Sequence, residues 1–230
     1  MPGIMKAFIV LSIFCVAALA SQDTCYNDAV TACDPAAARS VDKLNNCNAK
    51  FGGINSAQSD LQKFVNQNFI RSFEYLLLAT NFDNYQRNRK GFEKLFRGLS
   101  DKKWNDGIEF IKYLTARGGE VDFNEISDGV KEEEAQPVSF DLNELTAVSK
   151  ALDLEKKYVH DAFSIHLGAA RSNKQFYDPE LTDYLEKEVV HEQREIIRKL
   201  AGYSTDLSGL LDGPDSSLAL FMFDDYLQKQ

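Results

Sequence analysis

The sequence is poor in residues that break helices or staple small folds. Of 230 residues only 5 are proline and 4 are cysteine, and no proline stands between Pro35 and Pro137. Proline removes a backbone donor and kinks a helix interior, so its absence permits long helices through the first half of the chain. Positive charge is in deficit too: 26 Lys and Arg face 35 Asp and Glu, a net charge of -9. Such a surface repels phosphate backbones and anionic lipid, which excludes nucleic acid and membrane surfaces as partners, and it attracts cations. No Asn-x-Ser/Thr triplet occurs, so N-glycosylation is not expected. Long apolar runs are missing except at the start.

That start reads as a leader. One charge, Lys6, precedes an apolar run from Ala7 to Leu19, and Ala18-Leu19-Ala20 stands before Ser21. This order is that of a secretory signal peptide over residues 1–20. Its apolar core of about 13 residues falls short of the roughly 20 that span a bilayer, which disfavours a retained anchor. Cleavage removes Lys6 and Cys15 and no acid, taking the net charge from -9 to -10. The mature chain is then expected in the secretory lumen (ER and Golgi) and the extracellular fluid. It keeps Cys25, Cys33 and Cys47, all in the polar stretch 21–53. Three cysteines in an oxidising compartment leave one over after any internal bridge. The odd thiol favours a disulfide to another chain, and a buried free cysteine is the plainer alternative.

From Ser56 the pattern changes. Leu61, Phe64, Val65, Phe69, Phe73, Leu76 and Ala79 recur at three and four, predicting an amphipathic helix to about Asp83. A second helix carries Phe92, Leu95, Phe96, Leu99, Phe110, Ile111 and Leu114 and stops at Gly118-Gly119. A third, from about Asn143 to Ala170, carries Leu145, Val148, Leu152, Tyr158, Val159, Ala162 and Phe163. Pro179 opens a fourth with Leu181, Tyr184, Leu185, Ile196, Ile197 and Leu200, and Pro214 a short fifth with Leu218, Leu220, Phe221 and Phe223.

Linker lengths set the topology. Short links near Asn84–Lys90 and Arg171–Asp178 can only join antiparallel neighbours. The stretch from Gly118 to Phe140 is long enough to run back along a helix of roughly 40 Å, making helices two and three parallel. An all-α four-helix bundle is expected, with one long crossover between helices two and three and a short fifth helix. The division is 1–20 signal peptide, 21–53 cysteine-containing extension and 54–230 helical domain.

Phe82-Asp83 after the first helix, Arg117-Gly118-Gly119 after the second, Ala151-Leu152-Asp153-Leu154-Glu155-Lys156 in the third, and Asp178-Pro179 and His191-Glu192-Gln193 in the fourth follow one order. Over residues 56–228 that order resembles the ferritin family. The leader and the cysteine-bearing stretch resemble the secreted ferritins of insects, and the site positions resemble their light-chain-type subunit. The resemblance implies a ferritin-like bundle that handles iron, both as stored mineral and as an ion in transit.

Family chemistry oxidises paired ferrous ions held by several carboxylates and one imidazole. At the matching positions Asn68 replaces the first-helix Glu, Lys103 (beside Lys102) the bridging Glu, and Asp106 the His, while Tyr75, Glu155 and Gln193 remain. An ammonium has no lone pair to offer a metal. Lys103 is expected to point inward, paired with Asp106 and Glu155, rather than to be a surface charge like Lys102. Only Glu155 persists as a carboxylate for metal, so no ferroxidase activity is expected. The resemblance also places Asp183 and Glu186 at the threefold ion channels, where two acids one turn apart would attract ferrous ions, although Thr182 stands where many relatives have Cys. The plainer reading is acids complementing a helix dipole.

Other motifs carry less. Glu188-Val189-Val190-His191 has the Glu-x-x-His form of di-iron bundles but stands out of frame with Gln193, as on a solvated face. His160 and His166 lack a second imidazole at ligand spacing. The Glu cluster that nucleates mineral in vertebrate light chains is replaced by Lys94, Arg97, Gly98, Asp101 and Lys102, and Glu132-Glu133-Glu134 reads as a solvated run. The reading is a secreted iron-storage subunit of a 24-chain hetero-oligomeric shell, relying on heavy-type ferritin subunits and tethered to them by cysteine. The fifth helix, apolar on more than one side, fits burial at a fourfold axis. Two alternatives stand: a secreted monomeric helical-bundle ligand carrier, and a ferroxidase with rearranged ligands.

Overall fold

In the computed structural model the described residues are 25–32, 46–123, 142–171 and 176–230, without the side chains of 31 and 32. The leader, Cys33, the Glu132–Glu134 run and the body of the crossover lie outside them. Two compact units divide at Asn48 and Ala49.

The first unit contains α1, Cys25–Ala32. Eight residues do not hold a helix in water unaided. Here a Cys25–Cys47 disulfide closes 22 residues of chain, and the Asp28 carboxylate accepts from the backbone N and Nδ2 of Asn46 at 2.6 and 3.1 Å. The sequence reads here as a polar, cysteine-containing extension. The helix is fixed by a covalent bridge and one carboxylate, neither of which leaves an apolar period. Cys25 and Cys47 are thus paired within the chain, and the expectation for Cys33 lies outside the described residues.

The second unit contains α2 (Ile54–Asp83), α3 (Lys90–Ala116) and α4 (Glu144–Ala169). It continues with α5 (Pro179–Leu185), a π-helical segment (Glu186–His191), α6 (Glu192–Leu211) and α7 (Ser216–Gln228). Two apolar clusters fill it. One joins Phe64, Phe110, Tyr158, Ile165, Leu181 and Leu185; the other joins Leu78, Phe96, Val148, Leu200 and Phe223. The start of α2 therefore meets the ends of α3 and α4 and the start of α5, while the end of α2 meets the starts of α3 and α4. This is the expected order, with α2 and α3 antiparallel and α3 and α4 parallel.

Helix ends are set by local chemistry. Asn143 caps α4 by accepting from Thr146 N at 2.8 Å, and Asp178 caps α5 from Leu181 N at 3.1 Å with Pro179 in the first turn. Gly118, at φ 77°, ends α3 in a left-handed conformation that suits glycine. The N-terminus of α3 has no cap of its own; Asp224 of α7 accepts from Gly91 N and Phe92 N at 2.9 and 3.1 Å. That approach requires glycine at 91, because a Cβ there would lie 2.0 Å from the Asp224 carbonyl oxygen.

The fourth helix was expected to be continuous, whereas a π segment interrupts it. Leu181, Leu185, Val189 and Gln193 all point inward at a strict spacing of four. In a regular helix at about 100° per residue such a row drifts roughly 40° per step. The wider π turn absorbs the drift and keeps the row on one face. Two apolar residues assigned to inward stripes, Phe73 and Phe163, are 53% and 47% exposed, on the outer faces of α2 and α4.

Candidate functional site: a buried lysine between two apolar clusters

Between the clusters lies a belt of buried polar side chains: Asn68, Ser72, Ser100, Lys103, Glu155 and Gln193. Lys103 and Glu155 are both 0% exposed, with Nζ 2.8 Å from the Glu155 carboxylate. The ammonium also donates to Gln193 Oε1 at 3.2 Å, lies 3.7 Å from Asp106, and stands 3.4 Å from the Tyr158 ring centroid. Glu155 accepts two further hydrogen bonds, from the Tyr75 hydroxyl at 2.6 Å and from Gln193 Nε2. Its oxygens thus serve three donors of the same chain.

Burial dominates the electrostatics. It lowers the Lys103 pKa, opposed by the charges of Glu155 and then Asp106. Burial likewise raises Asp106, opposed by Lys103 and Lys102. Tyr75 is pushed well above its ordinary value, first by burial and then by the adjacent Glu155 charge. The phenol stays protonated and donates.

Asn68 is fully buried; its Nδ2 donates to the Phe64 carbonyl at 3.0 Å, and its Oδ1 has no hydrogen-bond partner among the described residues. Lys102 faces the other way, with Nζ 3.2 Å from Asp106 and 2.6 Å from Glu192. The Lys102-Lys103 pair thus splits as expected, one residue inward and one outward.

Two members of this site were not anticipated as such. Tyr158, read as core, offers its face to Lys103, and Arg71 stands 5.2 Å over the same ring while pairing with Asp161 at 2.6 Å. The signal was present for Tyr158, which lies one turn after Glu155; none marked Arg71. Ser72 and Ser100 link α2 to α3 beside the site, Oγ to Oγ, at 3.2 Å.

The donor set does not suit a pair of hard cations. Glu155 already accepts from three donors, Lys103 sets a positive charge beside it, and no group of three or more His, Cys, Asp or Glu placed to hold a metal ion occurs among the described residues. Glu188 and His191 are exposed while Gln193 is buried. Asp183 and Glu186 are both exposed, and each has a partner within its own chain: Asp183 pairs with Lys187 at 2.7 Å, and a Glu186 oxygen lies 2.8 Å from His166 Nε2.

A second polar cluster ties the end of the bundle. Arg117, 4% exposed, pairs with Asp178 at 2.7 Å and with Glu180, and donates to the Phe51 carbonyl at 2.9 Å. Asp178 also accepts from Gly53 N at 2.9 Å.

Comparison with known proteins agrees with this architecture. A family model, the ferritin-like domain, matches residues 58–210. A ferritin light chain of Drosophila melanogaster is 40% identical, covering 98% of this chain and 100% of its own. One from Trichoplusia ni is 39% identical, covering 96% and 98%. The crystal structure of Trichoplusia ni secreted ferritin superimposes with a TM-score of 0.81 at 39% identity, over 90% of this chain and 99% of that one.

Proposed function

Because the chain belongs to the ferritin family, we propose that it is an iron-storage subunit of a secreted shell and that it leaves ferrous oxidation to a heavy-type partner. The observation that carries this reading is the buried Lys103–Glu155 pair. A ferrous ion arriving there meets a fixed positive charge and a carboxylate already serving Tyr75, Gln193 and Lys103. Displacing the ammonium would bury it unpaired, at a cost of about 3–5 kcal/mol. The site is therefore a structural clasp where relatives with oxidation chemistry hold metal. The chain contributes wall, passage and interior surface.

Passage falls to Asp183 and Glu186, both exposed and one turn apart. Lys187 offsets the charge of Asp183 and His166 occupies an oxygen of Glu186, so each chain offers ferrous ions a weaker attraction than two free acids would. Cys33, the thiol outside the Cys25–Cys47 bridge, is the candidate tether to an unlike subunit. Residues 1–20 are proposed as the leader, so N-terminal sequencing of secreted protein should start at Ser21. The described helices include none long and apolar enough to cross a membrane.

Stopped-flow absorbance of the isolated chain mixed with ferrous iron tests the main claim. The wild type should oxidise iron at the buffer rate, and co-assembly with a heavy-type subunit should restore fast turnover. A fast burst from the isolated chain would overturn the reading in favour of rearranged ligands. Size-exclusion mass tests the shell: hundreds of kilodaltons are expected, whereas a mass near 25.9 kDa would favour a monomeric carrier.

A further inference from the structure

Between α3, α6 and α7, away from the Lys103 site, lies a groove of about 250 Å³. Its floor is Leu99, Leu200 and Leu227, each less than a tenth exposed, with Leu95 and Ile196 partly buried beside them. Lysines stand on the rim. Lys102 is neutralised by Asp106 and Glu192. Lys94 and Lys199 have no carboxylate partner among the described residues: Lys94 donates to the Gln228 carbonyl at 2.8 Å, and Lys199 stands 5.8 Å from the Tyr203 ring centroid.

Apolar floor and cationic rim together select a ligand class. An inorganic anion would leave the leucines wet, and a neutral hydrocarbon would leave the lysines unused. A cationic amphiphile would be repelled. The volume suits a small amphiphile rather than a macromolecular segment. A wall opens at Gly98, which lines the groove and whose missing Cβ would meet nothing within 4 Å.

We propose that this groove binds a medium-chain aliphatic carboxylate, its tail on the leucine floor and its head group at the Lys94 and Lys199 rim. The tail gains by leaving water and the head by charge complementarity. The site shares no side chain with the Lys103–Glu155 pair, so its failure would leave the iron reading untouched, and the reverse holds.

Isothermal titration of the full chain with octanoate, octanol and octyltrimethylammonium decides it. Octanoate should bind saturably at one site per chain, octanol at least fivefold more weakly, and the cation not at all. Gly98→Trp fills the groove from an open helical position and should abolish octanoate binding without lowering the thermal midpoint, since glycine is a poor helix former. Lys199→Glu should weaken octanoate at least tenfold, and Lys199→Arg should retain it. Absence of saturable octanoate binding, equal binding of the cation, or octanoate binding that survives Gly98→Trp would each overturn the proposal.

Discussion

A lysine shielded from bulk solvent is held by geometry. Lys103 loses its hydration and receives Glu155, Gln193, Asp106 and the Tyr158 face in return. Such a pair gives little net stability, yet breaking it is expensive because the surviving charge has no solvent. Lys103→Met should therefore lower stability by about 3–5 kcal/mol, while Lys103→Met with Glu155→Leu should cost much less. Calorimetry of the two variants checks this, and a double variant losing as much as Lys103→Met or more would show that Glu155 is not stranded by the loss of its partner. Lys103's direction was legible because, of two adjacent helical residues, normally only one can face inward. Tyr158 read as core and nothing marked Arg71, because a residue's use as a platform or a through-core partner leaves no periodic trace.

The helices owe their mutual positions to side chains borrowed from distant elements. Asp178 caps α5, pairs with Arg117 at the end of α3 and accepts from Gly53 N ahead of α2. Asp178→Ala would remove a cap and leave a buried guanidinium underpaired, for a loss of about 3–5 kcal/mol by thermal denaturation. A loss below about 1 kcal/mol would show that solvent reaches Arg117. Beside it, Tyr113 donates to Glu180 at 2.6 Å, and burial pushes its phenol up to about 12. Its unfolded value is 10.0, so the folded state holds this proton longer. The corresponding stability is complete below pH 10 and is lost as pH rises towards 12. Relative to Tyr113→Phe, the wild type should lose stability between pH 10 and 12, and a flat difference would contradict the shift. Helix order and connectivity were readable because linker lengths leave few topologies. The π segment was readable only in retrospect, from four inward residues spaced by four. Asp224 capping α3 from α7 joins residues 133 apart in sequence, which no local pattern announces.

For the molecule as a whole, the two compact units call for separate stability tests. Closing 22 residues with the Cys25–Cys47 bridge stabilises the first unit by about 3 kcal/mol in the chain-entropy account. Cys25→Ser with Cys47→Ser should raise amide exchange across α1 while leaving exchange in α2–α6 unchanged. Faster exchange in both would mean that the units fold cooperatively. Exposed Phe73 and Phe163 explain why inward stripes were overcounted: periodicity reports that a face is apolar, not what covers it. Phe73 and Trp104 pack edge to face with centroids 6.3 Å apart, a patch of the kind that marks subunit contacts.

The Lys103–Glu155 clasp also has a historical consequence. Changing Lys103 alone to a carboxylate would set two buried acids against each other. Removing Glu155 alone would strand the lysine, and Asp106→His alone would add an imidazole beside an ammonium. Each of these three single steps passes through a less stable protein, so under the proposed function a return to oxidation chemistry would need coordinated changes.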